Sequence, residues 1–478
     1  MTSSAIMCRS SLLAAAAFAS WAWVSPAWAG AAPQSHSVAP SSAQASSQNE
    51  GGSQGQVAER RSHQDKKLSP ASPDQSPMPP MTGTPTPLAT LLDEAENNNP
   101  QILAARHAWK AASLVPSQAA TLPDPQFTLQ QLSVGSPRPF AGFSNSDFAY
   151  VGIGISQDLP YPGKLHLKGE IASREASSAR DQAESVTRSV VEQVKATYFE
   201  LAYVQQTLAI LERDEKLLHQ IESFAEARYR VGQGSQEEVL KAQLQQTKLL
   251  TETAMHHQHM GTVEARLKQL LNRTPDSPDV VTTTLTATPL TYSSDELLAH
   301  ARTNNPDVAT DQEAVNRQSL VVESAHKDFY PDFNIQYAWQ HTAEQFRDYY
   351  LLSVGVRIPI YRSRKQRPEL AQAVEQLNQS RREYENQLHQ AYFEVRDQFL
   401  QAQAAEQILK IYRDGLIPQA SATYQAGLAA YQSNREDFET LLASFLDVLQ
   451  LEEEYWQKVS EHEIALARLE QLAGMKLQ

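Results

Sequence analysis

Two periodicities organise the chain. In short stretches apolar and polar residues alternate singly, as in a strand; in long stretches apolar residues recur every third or fourth position, as in a helix. Gln126 to Val134 and Phe148 to Leu159 form the first strand pair, the latter setting Ala149, Val151, Ile153 and Ile155 against Tyr150, Gly152, Gly154 and Ser156. Further on, Phe333, Ile335, Tyr337 and Trp339 alternate with Asn334, Gln336, Ala338 and Gln340. Tyr350, Leu352, Val354, Val356 and Ile358 then alternate with Ser353, Gly355 and Arg357. Alternation over about 9–11 residues suits a strand that crosses a bilayer, and equally a half-buried soluble hairpin. The aromatic and aliphatic faces tilt the balance toward the bilayer.

The helical stretches are long. No proline interrupts Lys164 to Val231, a span on the order of 100 Å if helical throughout. Val190, Thr197, Val204, Leu211 and Leu218 recur every seventh position, with Val194, Leu201 and Leu208 between them. Leu370, Leu377, Tyr384 and Ala391 repeat the pattern, interleaved by Val374, Leu388, Val395, Ala402 and Leu409. Both are coiled-coil seams, and Pro418 is expected to kink the second helix near its end.

The order of elements occurs twice. Leu91-Leu92, ending in Asn98-Asn99-Pro100, returns as Leu297-Leu298, ending in Asn304-Asn305-Pro306. The offset holds without a gap to Pro125-Gln126-Phe127 against Pro331-Asp332-Phe333. Leu159-Pro160 then matches Ile358-Pro359, and Tyr229 to Gly232 matches Tyr431 to Asn434. A unit of about 200 residues is too long for a solenoid repeat and marks a duplication. The expected units are 88–290 and 291–478, each running helix, β-hairpin, long helix, helix. One hairpin per unit cannot close a barrel. If the strands enter a membrane, several chains must share one barrel, because no backbone group can stay unpaired in lipid.

Composition narrows the function. The chain has 478 residues, 41 basic against 55 acidic, and a formal charge of −14, which argues against a nucleic-acid binder. The single cysteine, Cys8, lies in an expected secretory leader over 1–29. There Arg9 precedes an apolar run from Leu12 to Val24 and a cleavage site at Ala27-Trp28-Ala29. Cys8 precedes the apolar run, which speaks against lipidation. Residues 30–87, rich in Ser, Pro and Gln, are expected to be disordered. No later stretch reaches about 18 apolar residues, so a helical span is not expected. No phosphate-binding glycine loop or HExxH motif appears, and Gly51 to Gly55 matches GxSxG only within the polar extension, so neither enzyme nor cofactor is expected.

The duplication, the element order and two motifs resemble the TolC-type outer membrane factors. Ala227-Arg228-Tyr229-Arg230-Val231-Gly232-Gln233-Gly234-Ser235 is similar to that family's helix-turn-helix tip, and Gln157-Asp158-Leu159-Pro160-Tyr161-Pro162-Gly163-Lys164 to its strand-to-helix junction. The resemblance covers about Leu88 to Leu477 and is nearest in character to the heavy-metal branch, the CzcC and CusC type. It implies a mainly α fold with a small membrane β-barrel contribution, in which a homotrimer builds an α-barrel and a shared 12-stranded β-barrel. It also implies an outer membrane location, lipid contact, a periplasmic adaptor and an inner-membrane pump of the RND type. A duct for type I protein secretion and a soluble periplasmic coiled-coil scaffold remain the competing readings.

At the tips, Gly232 suits a left-handed turn and Asn434 is its counterpart. Tyr229, Gly232, Gly234, Ser235 and Asn434 are candidates for adaptor contact. In the family an aspartate pair often rings the aperture; Thr440 and Ala443 stand at the matching positions. Tyr431, Arg435, Glu436, Asp437 and Glu439 are the gate candidates, with Tyr431 and Arg435 expected to brace the closed helices. Glu237 and Glu238 could contribute charge. In Met255-His256-His257-Gln258-His259-Met260, imidazole and thioether suit a soft metal ion, making His256, His257 and His259 weak candidate ligands.

Overall fold

The computed structural model describes residues 85–135, 148–342 and 347–477. The expected leader, Cys8 and all but the end of the polar extension lie outside the described residues. Helices α1 (Leu88–Asn98), α2 (Pro100–Ser113) and α3 (Val115–Ala120) lead into strands β1 (Gln126–Leu132) and β2 (Tyr150–Leu159). Then come α4 (Lys164–Arg230) and α5 (Gln236–Leu270). The second copy follows with α6 (Ser294–Asn304), α7 (Pro306–Lys327), β3 (Asp332–His341), β4 (Tyr349–Arg357) and α8 (Gln366–Ile411). It ends with α9 (Ile417–Gln432) and α10 (Phe438–Ala473). The first hairpin is shorter than expected at two ends: β1 stops at Leu132 and β2 starts at Tyr150.

The duplicated Asn-Pro step shows how sequence fixes local structure twice. Asn99 Oδ1 accepts from the N–H groups of Gln101 (2.8 Å) and Ile102 (3.3 Å), capping α2, while Pro100 opens the helix. Its Nδ2 donates to the Leu270 carbonyl at 2.8 Å, at the end of α5. Asn305 repeats this at α7, accepting from Asp307 and Val308 and donating to the Leu472 carbonyl at 3.1 Å. Both asparagines are buried, so each ties the start of its unit to that unit's last helix. Losing either would leave a buried carbonyl and two N–H groups unpaired.

The seam of α4 is the spine of the core. Val190, Thr197, Val204, Leu211 and Leu218 are at most 2% exposed. Val190 and Val204 pack with Leu267 and Val263 of α5 and Val459 of α10 in one cluster, and Leu211 and Leu218 with Leu441 and Phe445 of α10 in the next. Each fully buried Val or Leu contributes about 1.5–3 kcal/mol. The seam of α8 is buried at Ala391, Val395, Ala402 and Leu409, but Val374 is exposed. The break near Pro418 takes a form not expected from a simple kink. A π-helical turn at Tyr412–Leu416 runs without a break into α9, whose first turn holds Pro418, so the widened turn accommodates the missing N–H.

All four strands join in one antiparallel sheet in the order β1-β2-β3-β4. Directly paired residues share a face. Phe127 pairs with Ile155, Ile155 with Tyr337 and Tyr337 with Leu352, while Leu129, Ile153, Trp339 and Tyr350 form a parallel row. The other face carries Gln130, Gly152 and Gln340 in one row, and Ser156, Gln336 and Ser353 in another. The apolar face is uncovered in the single chain: Phe127 and Leu129 are each 75% exposed. The outer edges of β1 and β4 have no strand partner among the described residues.

Candidate functional site

The turns joining α4 to α5 and α9 to α10 lie side by side at the end of the molecule remote from the sheet along α4. Each reverses through one residue with positive φ, Gly232 at 73° and Asn434 at 60°. Glycine makes that conformation at no steric cost, and asparagine is the side chain that tolerates it best. Gly234 is favoured for a different reason. A Cβ there would lie 3.1 Å from the Arg228 Cβ and 3.2 Å from a Glu238 carboxylate oxygen. The next helices start on side-chain caps. Ser235 and Glu238 form a reciprocal capping box on α5, and Asp437 accepts from the Thr440 N–H at 2.8 Å on α10.

Tyr431 binds the two tips together. It is 1% exposed, its ring meets Phe438 edge-on at 5.9 Å, and its hydroxyl donates to Glu238 at 2.8 Å. The Arg228 guanidinium lies 4.3 Å from the ring centroid, donates to the Tyr431 carbonyl at 2.9 Å and reaches Asn434 Oδ1 at 2.6 Å. Burial and the neighbouring Glu238 carboxylate push the Tyr431 phenol well above its usual range. A second tie crosses the tips at Lys241, which pairs with Glu237 at 2.8 Å and with Glu439 of α10. Those two partners hold the Lys241 ammonium above its usual range. Beside this latch, Phe224, Ala227, Val231 and Gln432 line an open groove of about 380 Å³. Val231 is 68% and Tyr229 49% exposed, so the tip presents apolar surface outward.

Such a pair of latched hairpins, carried about 100 Å from an apolar-faced sheet on long coiled helices, can be set against known proteins. The family model described as outer membrane efflux protein matches residues 91–273 and 297–474, one match in each copy. The chain belongs to the outer membrane efflux protein family. It is 23% identical over 274 residues to outer membrane efflux protein BepC of Brucella suis biovar 1 (strain 1330), an alignment covering 56% of this chain and 59% of BepC. The crystal structure of outer membrane protein VceC from Vibrio cholerae matches with a TM-score of 0.70 at 18% identity, over 82% of this chain and 97% of VceC. CusC matches at 0.69 and 16% identity, over 81% of this chain and 92% of its own. The mainly α, duplicated, TolC-type architecture is therefore shown, and the likeness to CusC is no stronger than that to VceC.

Within this family fold the expected gate residues divide. Tyr431 ties the two tips together, but the arginine that holds it is Arg228, not Arg435, whose exposed side chain has no partner among the described residues. Asp437 is committed to its cap, and bonds from Thr440 hold its carboxyl below the usual range. Glu439 is committed to Lys241. Glu436 alone of the three acids makes no hydrogen bond or ion pair among the described residues. Arg228 escaped the sequence reading because its copy-two counterpart is Ala430, so the repeat gave no second instance to notice. The Ser235 and Glu238 spacing did carry a cap signal.

The histidine run does not converge. His256 pairs with Glu453 of α10 at 3.3 Å, and His259 with Glu200 of α4 at 3.3 Å. The buried His257 Nδ1 has no partner, and Met260 is buried while Met255 is exposed. Among the described residues no group of three or more His, Cys, Asp or Glu side chains is placed to hold a metal ion. The geometry thus splits the metal site suggested by His256, His257 and His259 into two interhelical imidazole–carboxylate contacts and an unpartnered ring.

Proposed function

We propose that this chain is the outer membrane channel of a tripartite efflux system, a passive duct for small solutes or metal ions. An RND-type inner-membrane pump supplies the energy, and a periplasmic adaptor grips the tips at Tyr229, Gly232, Gly234, Ser235 and Asn434. The observation that carries this reading is the sheet, apolar across one face and unpaired at both edges. Such a sheet is stable in lipid only when its edges are closed by further strands. An even number of strands per chain keeps β4 antiparallel to the next copy's β1. Two copies would give a barrel whose interior side chains fill, whereas three give 12 strands and an open lumen. Among the described residues no helix is long and apolar enough to cross a membrane, so the sheet is the element available for insertion.

The repeat sets the register across the closing seam. Ser156 of β2 pairs with Gln336 of β3, and their repeat counterparts are Gly355 of β4 and Gln130 of β1. The mature chain is expected to lack cysteine, so an introduced pair reports without background. Gln130→Cys with Gly355→Cys should oxidise into a covalent ladder ending at the trimer in outer membrane fractions. Gln130→Cys with Leu352→Cys, on opposite faces, should not. A chain that purifies as a soluble monomer without detergent would sink the proposal in favour of the periplasmic scaffold.

A further inference from the structure

The two copies differ where the second strand passes into the long helix. In copy one this junction is sealed within the chain. Lys164 is buried between Asp328 at 3.1 Å and Asp332 at 3.0 Å, and Tyr161 stacks on Tyr330 at 4.5 Å. In copy two the equivalent turn is bare. Ile360 is 72% and Tyr361 69% exposed, and Arg362, Arg364, Lys365 and Arg367 follow at once, all exposed. None of these four makes an ion pair among the described residues; Arg362 donates only to the Phe329 carbonyl, at 3.3 Å.

By the repeat, the equivalent segment of a neighbouring copy would not bring the missing carboxylates. The repeat places Leu122 where Asp328 stands and Gln126 where Asp332 stands, and Asp124 is the single acid between Thr121 and Leu132. In a chain of formal charge −14, a local surplus of cations beside exposed apolar side chains suits a partner of opposite charge with an apolar body. The strands end at Arg357, so this turn falls where a bilayer gives way to headgroups. Guanidinium groups recognise phosphate by two parallel hydrogen bonds, and tyrosine settles with its ring at headgroup depth.

We propose that the turn from Ile360 to Arg367 is a docking surface for anionic phospholipid headgroups of the periplasmic leaflet. The inference rests on the duct reading, since it needs the sheet in the membrane. The sealed copy-one junction takes no such lipid, because its lysine is already neutralised.

The test is native mass spectrometry of the detergent-purified full chain with equimolar phosphatidylglycerol and phosphatidylcholine. The expected result is retention of phosphatidylglycerol about tenfold over phosphatidylcholine, weakened by salt. Arg364→Gln/Lys365→Gln/Arg367→Gln should bring the ratio near one. Arg364→Lys/Arg367→Lys, which keeps the charge, should retain most of it, and Arg381→Gln/Arg382→Gln further along α8 should leave it unchanged. A preference that survives the triple glutamine variant overturns the assignment. So does equal competition by soluble glycerol phosphate, which would mean a free-phosphate site. An inserted oligomer without lipid preference refutes this inference alone, whereas a failure to insert refutes the duct reading beneath it.

Discussion

Tyr431 sits where three forces meet: burial, a hydrogen bond to a carboxylate and a cation over its ring. The first two favour the neutral phenol, so its folded pKa lies above the unfolded value of about 10. A raised pKa contributes stability that is complete below the unfolded value and is lost as pH rises through the folded one. Tip closure should therefore be flat through neutral pH and weaken above about pH 10. Conductance in planar bilayers would rise there in the native channel, and Tyr431→Phe should remove that alkaline component while raising conductance slightly at pH 7. A matching alkaline rise in the phenylalanine variant would show that other groups cause it. Arg228→Ala strips a cation–π contact and three hydrogen bonds, two of them across the tips, costing the closed tip about 2 kcal/mol. Arg435→Ala removes an exposed side chain and should leave conductance near the native level. Equal effects of the two would restore Arg435 as the brace. Tyr431 could be read from the sequence because the repeat aligns it with Tyr229. Its arginine partner could not, since the contact spans 203 positions and only three-dimensional packing brings it about.

At the scale of elements, the strands were legible because a period of two survives in any environment that wets one face. Which edge meets which strand was not, and the sheet order settles that β2 and β3 join the two copies. The side assignment can be tested at adjacent residues of β4. Val354 pairs with Ile335 on the apolar face and is 62% exposed, while Ser353 pairs with Gln336 on the polar one. Val354→Arg should destabilise membrane assembly by roughly 2–4 kcal/mol at the bilayer midplane, and Ser353→Arg should be tolerated. Heat-resistant oligomer on gels measures both, and equal assembly of the two variants would refute the inside-outside assignment. The α4 seam was equally legible, heptad by heptad. The π-helical turn was not. Pro418 announces that a donor is missing, but whether the helix answers with a kink or with a widened turn depends on neighbouring packing.

At the scale of the whole molecule, threefold assembly would multiply whatever charge the tips hold. Glu436, Asp437 and Glu439 sit at one turn, so the proposed trimer gathers three such groups around its axis. Carboxylates converging on a narrow opening attract cations and repel anions more strongly than on an open surface. Two of the acids also have structural duties, which complicates a simple deletion. Asp437→Asn keeps the cap on α10, because asparagine serves as well as aspartate there. Glu439→Gln gives up its ion pair, but Lys241 retains Glu237. The combination Glu436→Gln/Asp437→Asn/Glu439→Gln therefore removes charge while largely sparing the turn. Its cation-to-anion permeability ratio should fall toward one when measured at low salt, where the screening length is about 30 Å. In 1 M salt that length shrinks to about 3 Å, and native and variant channels should converge. Selectivity that is unchanged at low salt would mean these acids are a solvated turn. A difference that persists unscreened in 1 M salt would point instead to an altered aperture, for which the Arg228 latch is the first place to look.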